Sequence, residues 1–400
     1  MFKSTKSEGL PAHKPSGITT RRDLSPKVKV LRELDLNSQT FRRQVVKQQH
    51  FLLWKWYKAD RGANPHKFFK ELTNITISTS KPRKLHFQCS LYPLISNEGL
   101  YYISKALQKI KGLKSLVLIS RECSTITDKG LTFLGKELKE LSHLQSLNLC
   151  FVDSKNITNG DLKVLSEGFR RLFSLQKIHL AFEMCLKITD EGLNYVYKGL
   201  KDLISLKSLS LSFASDCKVT DGGLCKVKRT LKRLLRLQRI HLNFGYCSDI
   251  TSYGVWYLGK GLENIMSLQE INLNFKNCDR ITDEGLFRLR KSLERLGSLQ
   301  SLYLFFDGCS PISDKGLSDL AEGLERFVSL RNLELDFAKC HRLTDFGLKA
   351  VIENLKGIVS LRDIQIRFDG CHNVSEDGWE ELKKTLKELT LPCLEKNVEK

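Results

Sequence analysis

Three residue types recur at spacings that invite a chemical reading. Aspartates follow Thr or Ser at Asp128, Asp190, Asp221, Asp283, Asp314 and Asp345. Cysteines stand at Cys123, Cys185, Cys247, Cys278, Cys309, Cys340 and Cys371, again at one place in a period. His179 and His241 lie two periods apart and are of the type that serves as general acid or base. Each type lacks its second ingredient in the sequence. Catalytic carboxylates work as pairs in contrasting environments, whereas a carboxylate on nearly every module reads as architecture. Thiols for a metal or disulfide framework cluster at CxxC-like spacing, and no CxxC occurs. No nucleophile or carboxylate accompanies the histidines in sequence. The expectation is a chain with no catalytic, cofactor or metal site.

The element that carries these residues is a repeat. Leu113, Leu144, Leu175, Leu206, Leu237, Leu268, Leu299, Leu330 and Leu361 recur with a constant 31-residue period. With each as position zero, Leu or Ile stands at +3 and +5, and Phe at +7 in eight of nine modules, Ser120 being the exception. Ile, Val or Leu then Thr or Ser follow at +13 and +14, with Gly at +17 and Leu near +18, +21, +25 and +28. A weaker copy with Leu85, Phe87, Ile95, Gly99 and Leu100 lies one period earlier. The LxxLxLxF half alternates as a strand with one buried face, and GLxxLxxxLxxL marks one face of a helix. Strand, turn and returning helix within one period make one coil, and stacked coils share a core. The Thr is a helix N-cap, the Asp sits in the first turn where the dipole favours it, and Ile126/Leu131 or Ile281/Leu286 staple the helix start. The +10 thiols are expected to pack, or to meet backbone, at the turn.

This pattern resembles the leucine-rich repeat proteins, of the long-module kind with a full convex helix. The CxxITDxGLxxL turn is similar to the cysteine-containing repeats of F-box/leucine-rich-repeat substrate receptors, and the module length to the ribonuclease-inhibitor class. The 31-residue module with a Phe rung before the Cys departs from both, no F-box is recognisable, and no GK[ST] phosphate loop is present. The resemblance implies an α/β solenoid (horseshoe) of about ten strand–turn–helix modules, with a parallel sheet on its concave face, used as a binding surface.

Charge indicates the partner. The chain has 400 residues, 65 Lys and Arg against 45 Asp and Glu, and a net charge of +20. Such an excess favours an acidic partner. Residues 1–80 hold 16 Lys and Arg against 6 Asp and Glu, half the excess in one fifth of the chain. The expected organisation is a flexible basic arm (1–37), an amphipathic helix and cap (38–81), the solenoid (82–391) and a charged tail (392–400). Residues 39–58 are expected to form a helix that docks on a partner or membrane surface, or caps the first coil, with Arg42, Arg43, Lys47, Trp54, Lys55 and Trp56. Pro392 is expected to block further strand addition.

Two further surfaces are candidates. On the concave face, Lys177, His179, Arg239 and His241 make the middle basic, Tyr303 and Phe305 are aromatic anchors, and Glu334, Asp336 and Asp363 make the C-terminal end an acidic cradle. On one convex helix Lys226, Lys228, Arg229, Lys232, Arg233 and Arg236 form a patch with no acidic residue between Asp221 and Asp249. The functional expectation is a non-enzymatic protein-binding scaffold or adaptor within a larger assembly, tethered to an acidic surface such as a cytoskeletal or ciliary lattice. The alternatives are a subunit held to RNA phosphate in a ribonucleoprotein such as a mitoribosome, and a ubiquitin-ligase substrate receptor. No small-molecule substrate is expected, and no apolar run is long enough for a membrane span. The twelve cysteines, with no hydrophobic leader in the first residues, suggest a reducing, cytoplasmic location. A mitochondrial one, with Arg21 and Arg22 in a presequence, is the alternative.

Overall fold

A computed structural model of the chain describes residues 51–56, 83–89, 95–122, 125–215 and 218–395, with backbone alone at 51–56, 87–89 and 390–395. Residues 1–50, with Arg42, Arg43 and Lys47, lie outside the described residues, as do Phe68, Phe69 and residues 74–77. Each 31-residue unit folds as the periodicity predicts. After β1 (Phe51–Trp56) the strands are β2 (Lys84–Cys89), β3 (Ser115–Arg121), β4 (Ser146–Val152), β5 (Lys177–Ala181), β6 (Ser208–Ser212), β7 (Arg239–Asn243), β8 (Glu270–Asn274), β9 (Ser301–Phe305), β10 (Asn332–Asp336) and β11 (Asp363–Arg367). Each strand from β2 onward is followed by a helix: α1 (Asn97–Lys109), α2 (Asp128–Leu138), α3 (Asn159–Phe169), α4 (Asp190–Leu200), α5 (Asp221–Leu231), α6 (Ser252–Leu262), α7 (Asp283–Leu293), α8 (Asp314–Leu324), α9 (Asp345–Lys356) and α10 (Glu376–Glu395). The strands form one open parallel sheet in chain order, with register advancing by the period, as in Ile178↔Leu209 and Ile240↔Ile271. Strands pack about 4.8 Å apart and helices about 8–10 Å, so the sheet lines the inside of the arc. The chain is an α/β leucine-rich-repeat solenoid.

The core is a set of ladders. The periodic leucines of both halves of the module are buried from Leu113 to Leu355, with Ile364, Leu386 and Leu389 of the last coil only half-buried, and the +7 phenylalanines stack from Phe151 to Phe368, ring centres 5.6–6.4 Å apart. Just past each Phe the backbone turns at +9 through a left-handed conformation, in Asp153, Met184, Tyr246, Asn277 and Lys339 as well as Gly308 and Gly370. The turn brings the next cysteine back to the preceding coil. The Cys247, Cys278, Cys309, Cys340 and Cys371 thiols donate to the carbonyls of Phe213, Phe244, Phe275, Phe306 and Phe337 at 3.2–3.4 Å. Burial pushes the Cys278 thiol up to about 12. These are inert structural groups.

The aspartates do more than meet the dipole of their own helix. Asp190 Oδ1 accepts the Thr220 N–H and Oδ2 the Thr220 hydroxyl, both at 2.7 Å. Asp221 serves Thr251, Asp283 serves Ser313, Asp314 serves Thr344 and Asp345 serves Ser375 in the same way. These coils therefore hold the N-cap residue of the next helix in place. The +17 glycine follows from this: a Cβ on Gly347 would lie 2.5 Å from Asp314 Oδ1, which instead accepts the Gly347 N–H at 3.1 Å. The ladder skips one rung. Asp161, within α3, takes both the N–H and the hydroxyl of Thr158, while Asp128 accepts from Lys129 N.

The ends differ from expectation. Residues Phe51–Trp56, with Trp54, Lys55 and Trp56, are not helical but form strand β1, parallel to β2. The open edge of β2 offers unpaired backbone groups, and pairing with it outweighs a helical spacing of apolar residues. β1 is also off the grid: the step Phe51↔Lys84 is longer than the step Lys84↔Ser115, which keeps the period. At the other end Leu389, Leu391 and Pro392 belong to the 20-residue α10, not to a strand closed by proline. Trp379, Leu382, Leu386 and Leu389 keep a helical spacing and pack on the last coil. The helix thus runs past 391, the expected end of the solenoid.

Candidate functional site

The strands turn their +3 and +5 side chains toward the core and their +2, +4 and +6 side chains to the other face; burial alternates cleanly along β7, β8 and β10, whereas Ala181, Ser212 and Ser301 on the outer face are also buried and Ile364 of β11 is only half-buried. The outward residues form three rows along the sheet. The middle row runs Asn148, His179, Ser210, His241, Asn272, Tyr303, Glu334, Gln365, each in register with the next. Spacing in the sequence thus becomes adjacency on one face.

The histidines are not alone, which corrects the sequence reading. His179 Nδ1 lies 2.7 Å from Ser210 Oγ, and His241 Nε2 lies 2.7 Å from Glu270 Oε1. Burial depresses the His179 pKa, with Glu183 opposing and His241 reinforcing the shift, so His179 is neutral at pH 7. A hydroxyl beside a neutral imidazole can pass a proton. However, strands inside a parallel sheet spend their backbone N–H groups on the ladders, so the main chain beside Ser210 does not present a pair of free N–H donors to an oxyanion. The pairs order the face.

The acidic cradle is clamped. Arg367 Nη2 lies 3.1 Å from Glu334 Oε1, and its Nη1 lies 3.6 Å from Asp336 Oδ2, so β11 neutralises charge that the sequence assigned to a free acidic end. Asp363 on β11 is exposed. Tyr303 and Phe305 project together from β9, half-buried, between Asn272 and Asn274 on one side and Glu334 and Asp336 on the other. Lys177 is exposed on β5, and Arg239 is half-buried on β7. A further pair at the end of the face, Lys276 with the buried Asp307, escaped the sequence reading. Its only signal was opposite charge at the same module position, +8, in consecutive coils.

The convex patch is divided. Lys226, Lys228 and Arg229 lie in α5, whereas Lys232 is its C-cap and Arg233 and Arg236 belong to the following turn. Arg233 is compensated from one coil earlier: its Nη2 meets Asp202 Oδ1 at 3.1 Å and its Nε donates to the Lys201 carbonyl. Lys228 Nζ sits 4.8 Å from the Tyr257 ring centre, a cation–π contact. Arg229, Lys232 and Arg236 are exposed and have no acidic partner among the described residues. The next two helices carry an unforeseen cluster, the Arg288 guanidinium 5.1 Å from Trp256 and 5.8 Å from Tyr253. Among the described residues no group of His, Cys, Asp and Glu is placed to hold a metal ion, and no helix is long and apolar enough to cross a membrane.

No family model matches the chain, and no curated protein matches it. Among solved structures it is similar to that of the yeast Rad7 and Elc1 complex, at 17% identity over 86% of this chain and 85% of that chain, TM-score 0.36. It is similar to the leucine-rich repeat-containing protein LegL7 of Legionella pneumophila, at 13% identity over 85% of this chain and 97% of that one, TM-score 0.45. A third likeness is to the TLR13–ssRNA13 complex, at 15% identity over 73% of this chain and 37% of that chain, TM-score 0.40.

Proposed function

We propose that this chain is a non-enzymatic protein-binding scaffold that holds a partner segment on its concave sheet. The observation that carries this reading is the pair Tyr303 and Phe305: two aromatics side by side on an ordered face, flanked by amides and a clamped acidic pair. Aromatic anchors with a polar surround are the usual energetic centre of a protein interface. The basic segment 1–80 acts in this reading as a tether to an acidic surface of the larger assembly, of which a cytoskeletal or ciliary lattice is the favoured kind.

The test compares partners captured by the full chain, by a Tyr303→Ala/Phe305→Ala variant and by a convex Arg229→Glu variant. The same partner should drop at least about tenfold with the concave variant, an effect of hot-spot size, and persist with the convex one. Equal capture by all three rules out the concave face. The tether is tested separately by reversing Arg42, Arg43 and Lys47 to Glu, which should release the assembly while leaving the direct partner bound.

A further inference from the structure

Between each helix and the next strand the chain makes a tight turn. Leu175 N donates to the Leu172 carbonyl, Leu206 N to Leu203, Leu237 N to Leu234 and Leu268 N to Ile265, at 2.9–3.1 Å. The two ends of the turn are fully buried, so its central residues stand on the surface. A turn of this kind accepts almost any residue at its first central position, and solubility would choose a polar one. Here that position holds Phe173, Ile204, Leu235, Met266, Val328 and Val359, all exposed, from 50% at Met266 to 98% at Val359. Gly297 interrupts the row.

Single exposed apolar side chains need no explanation. These six occupy one position in stacked coils, and at about 4.8 Å per coil they form one apolar ridge about 30 Å long on one rim of the solenoid. The charge beside it is unequal. At the Phe173–Leu235 end stand Arg170, Arg171, Lys201, Lys232, Arg233 and Arg236, with Asp202 as the one acid in those turns. From the Met266 turn onward the turns mix Glu263, Glu294 and Glu325 with Arg295, Arg326 and Lys356.

We propose that this rim binds an anionic lipid bilayer surface, with Phe173, Ile204 and Leu235 entering the headgroup boundary and the flanking Arg and Lys meeting anionic headgroups. Interfacial binding of this sort sums apolar area and electrostatic attraction. A protein partner would need a surface shaped to a protruding line of single tips, whereas a bilayer accommodates such a line without prior fit. The surface is separate from the concave face, and the proposal does not depend on the scaffold reading.

The experiment is flotation of the full chain with vesicles of phosphatidylcholine alone or mixed with phosphatidylserine, in a buffer free of other proteins. Binding should require phosphatidylserine, and a Phe173→Ser/Leu235→Ser variant should bind the same vesicles at least about tenfold more weakly. Reversing Lys232 to Glu should weaken binding roughly fivefold or more, the scale of one basic residue at an anionic surface. All three positions are exposed, so thermal melts should match the wild type. Three results would each overturn the proposal. One is absence of binding to anionic vesicles; another is binding indifferent to the apolar substitutions, which would place adsorption on the basic segment 1–80. The third is capture of an RNA oligonucleotide that is lost in Lys232→Glu but kept in the apolar variant, without vesicle binding.

Discussion

At the scale of single residues, the capping ladder makes the sharpest predictions. Asp283→Ala removes two hydrogen bonds that hold Ser313, the N-cap residue of α8, a loss of about 1–2 kcal/mol, read as a lower urea midpoint. Asp283→Asn should keep most of that stability, because Asn159 already does the same work: its Oδ1 accepts from Thr189 N and its Nδ2 donates to Thr189 Oγ1. His179 gives a pH prediction. Its folded pKa lies below the ordinary value near 6.5, so between the two the unfolded chain binds the extra proton and stability falls as pH drops. The loss begins as pH passes below about 6.5 and stops once the folded group also protonates. Glu183 and His241 are the charges that act on it. His179→Gln should flatten this part of the midpoint-versus-pH curve. Cysteine labelling is a third check: in native protein, iodoacetamide should spare Cys278, Cys309 and Cys340, whose thiols burial holds protonated, while half-exposed Cys225 reacts first among the described residues.

At the scale of the elements, the +9 turn carries a conformational cost wherever it is not glycine. Tyr246 is at φ 63° and exposed, so Tyr246→Gly should stabilise by about 0.5–1 kcal/mol, the left-handed penalty less the entropy of glycine. Gly308→Ala should destabilise, since it brings the same penalty and its Cβ would run into Asn277 Oδ1. Neither position stands out in the sequence, where +9 holds Glu, Asp, Met, Ser, Tyr, Asn, Gly, Lys and Gly in turn: a conformation shared by unlike residues leaves no compositional trace. Strands and helices from Ser115 onward were legible because they keep one period throughout, and Leu116 or Leu131 cannot be buried otherwise. β1 was not, because its step to β2 breaks that period and pairing depends on an edge that exists only in three dimensions. The site residues were legible as a set of outward positions. Their pairings were not: His241 and Glu270 lie slightly less than one period apart, Arg367 and Glu334 slightly more, so only the register one coil over brings them together.

At the scale of the whole molecule, coils touch only their neighbours, and stability is a chain of interfaces. The phenylalanine stack crosses those interfaces, so Phe244→Ala in its middle should cost about 3–5 kcal/mol and separate unfolding of the two flanks into resolved steps. Phe151→Ala, beside the Ser120 end of the stack, should lower the midpoint without splitting the transition. Fluorescence and circular dichroism followed through one urea titration distinguish the two outcomes.

The capping ladder also has a direction. Asp190, Asp221, Asp283, Asp314 and Asp345 each complete the helix that follows, and the cysteine thiols likewise reach back to a carbonyl already laid down. A coil therefore finds its cap waiting on the coil before it, while backbone N–H groups at its turn, such as those of Phe244 and Tyr246, wait for the carbonyls of the coil after. For a chain that leaves the ribosome N-terminus first, each newly made helix start meets a cap already in place, and the solenoid can lengthen one coil at a time at the pace of synthesis.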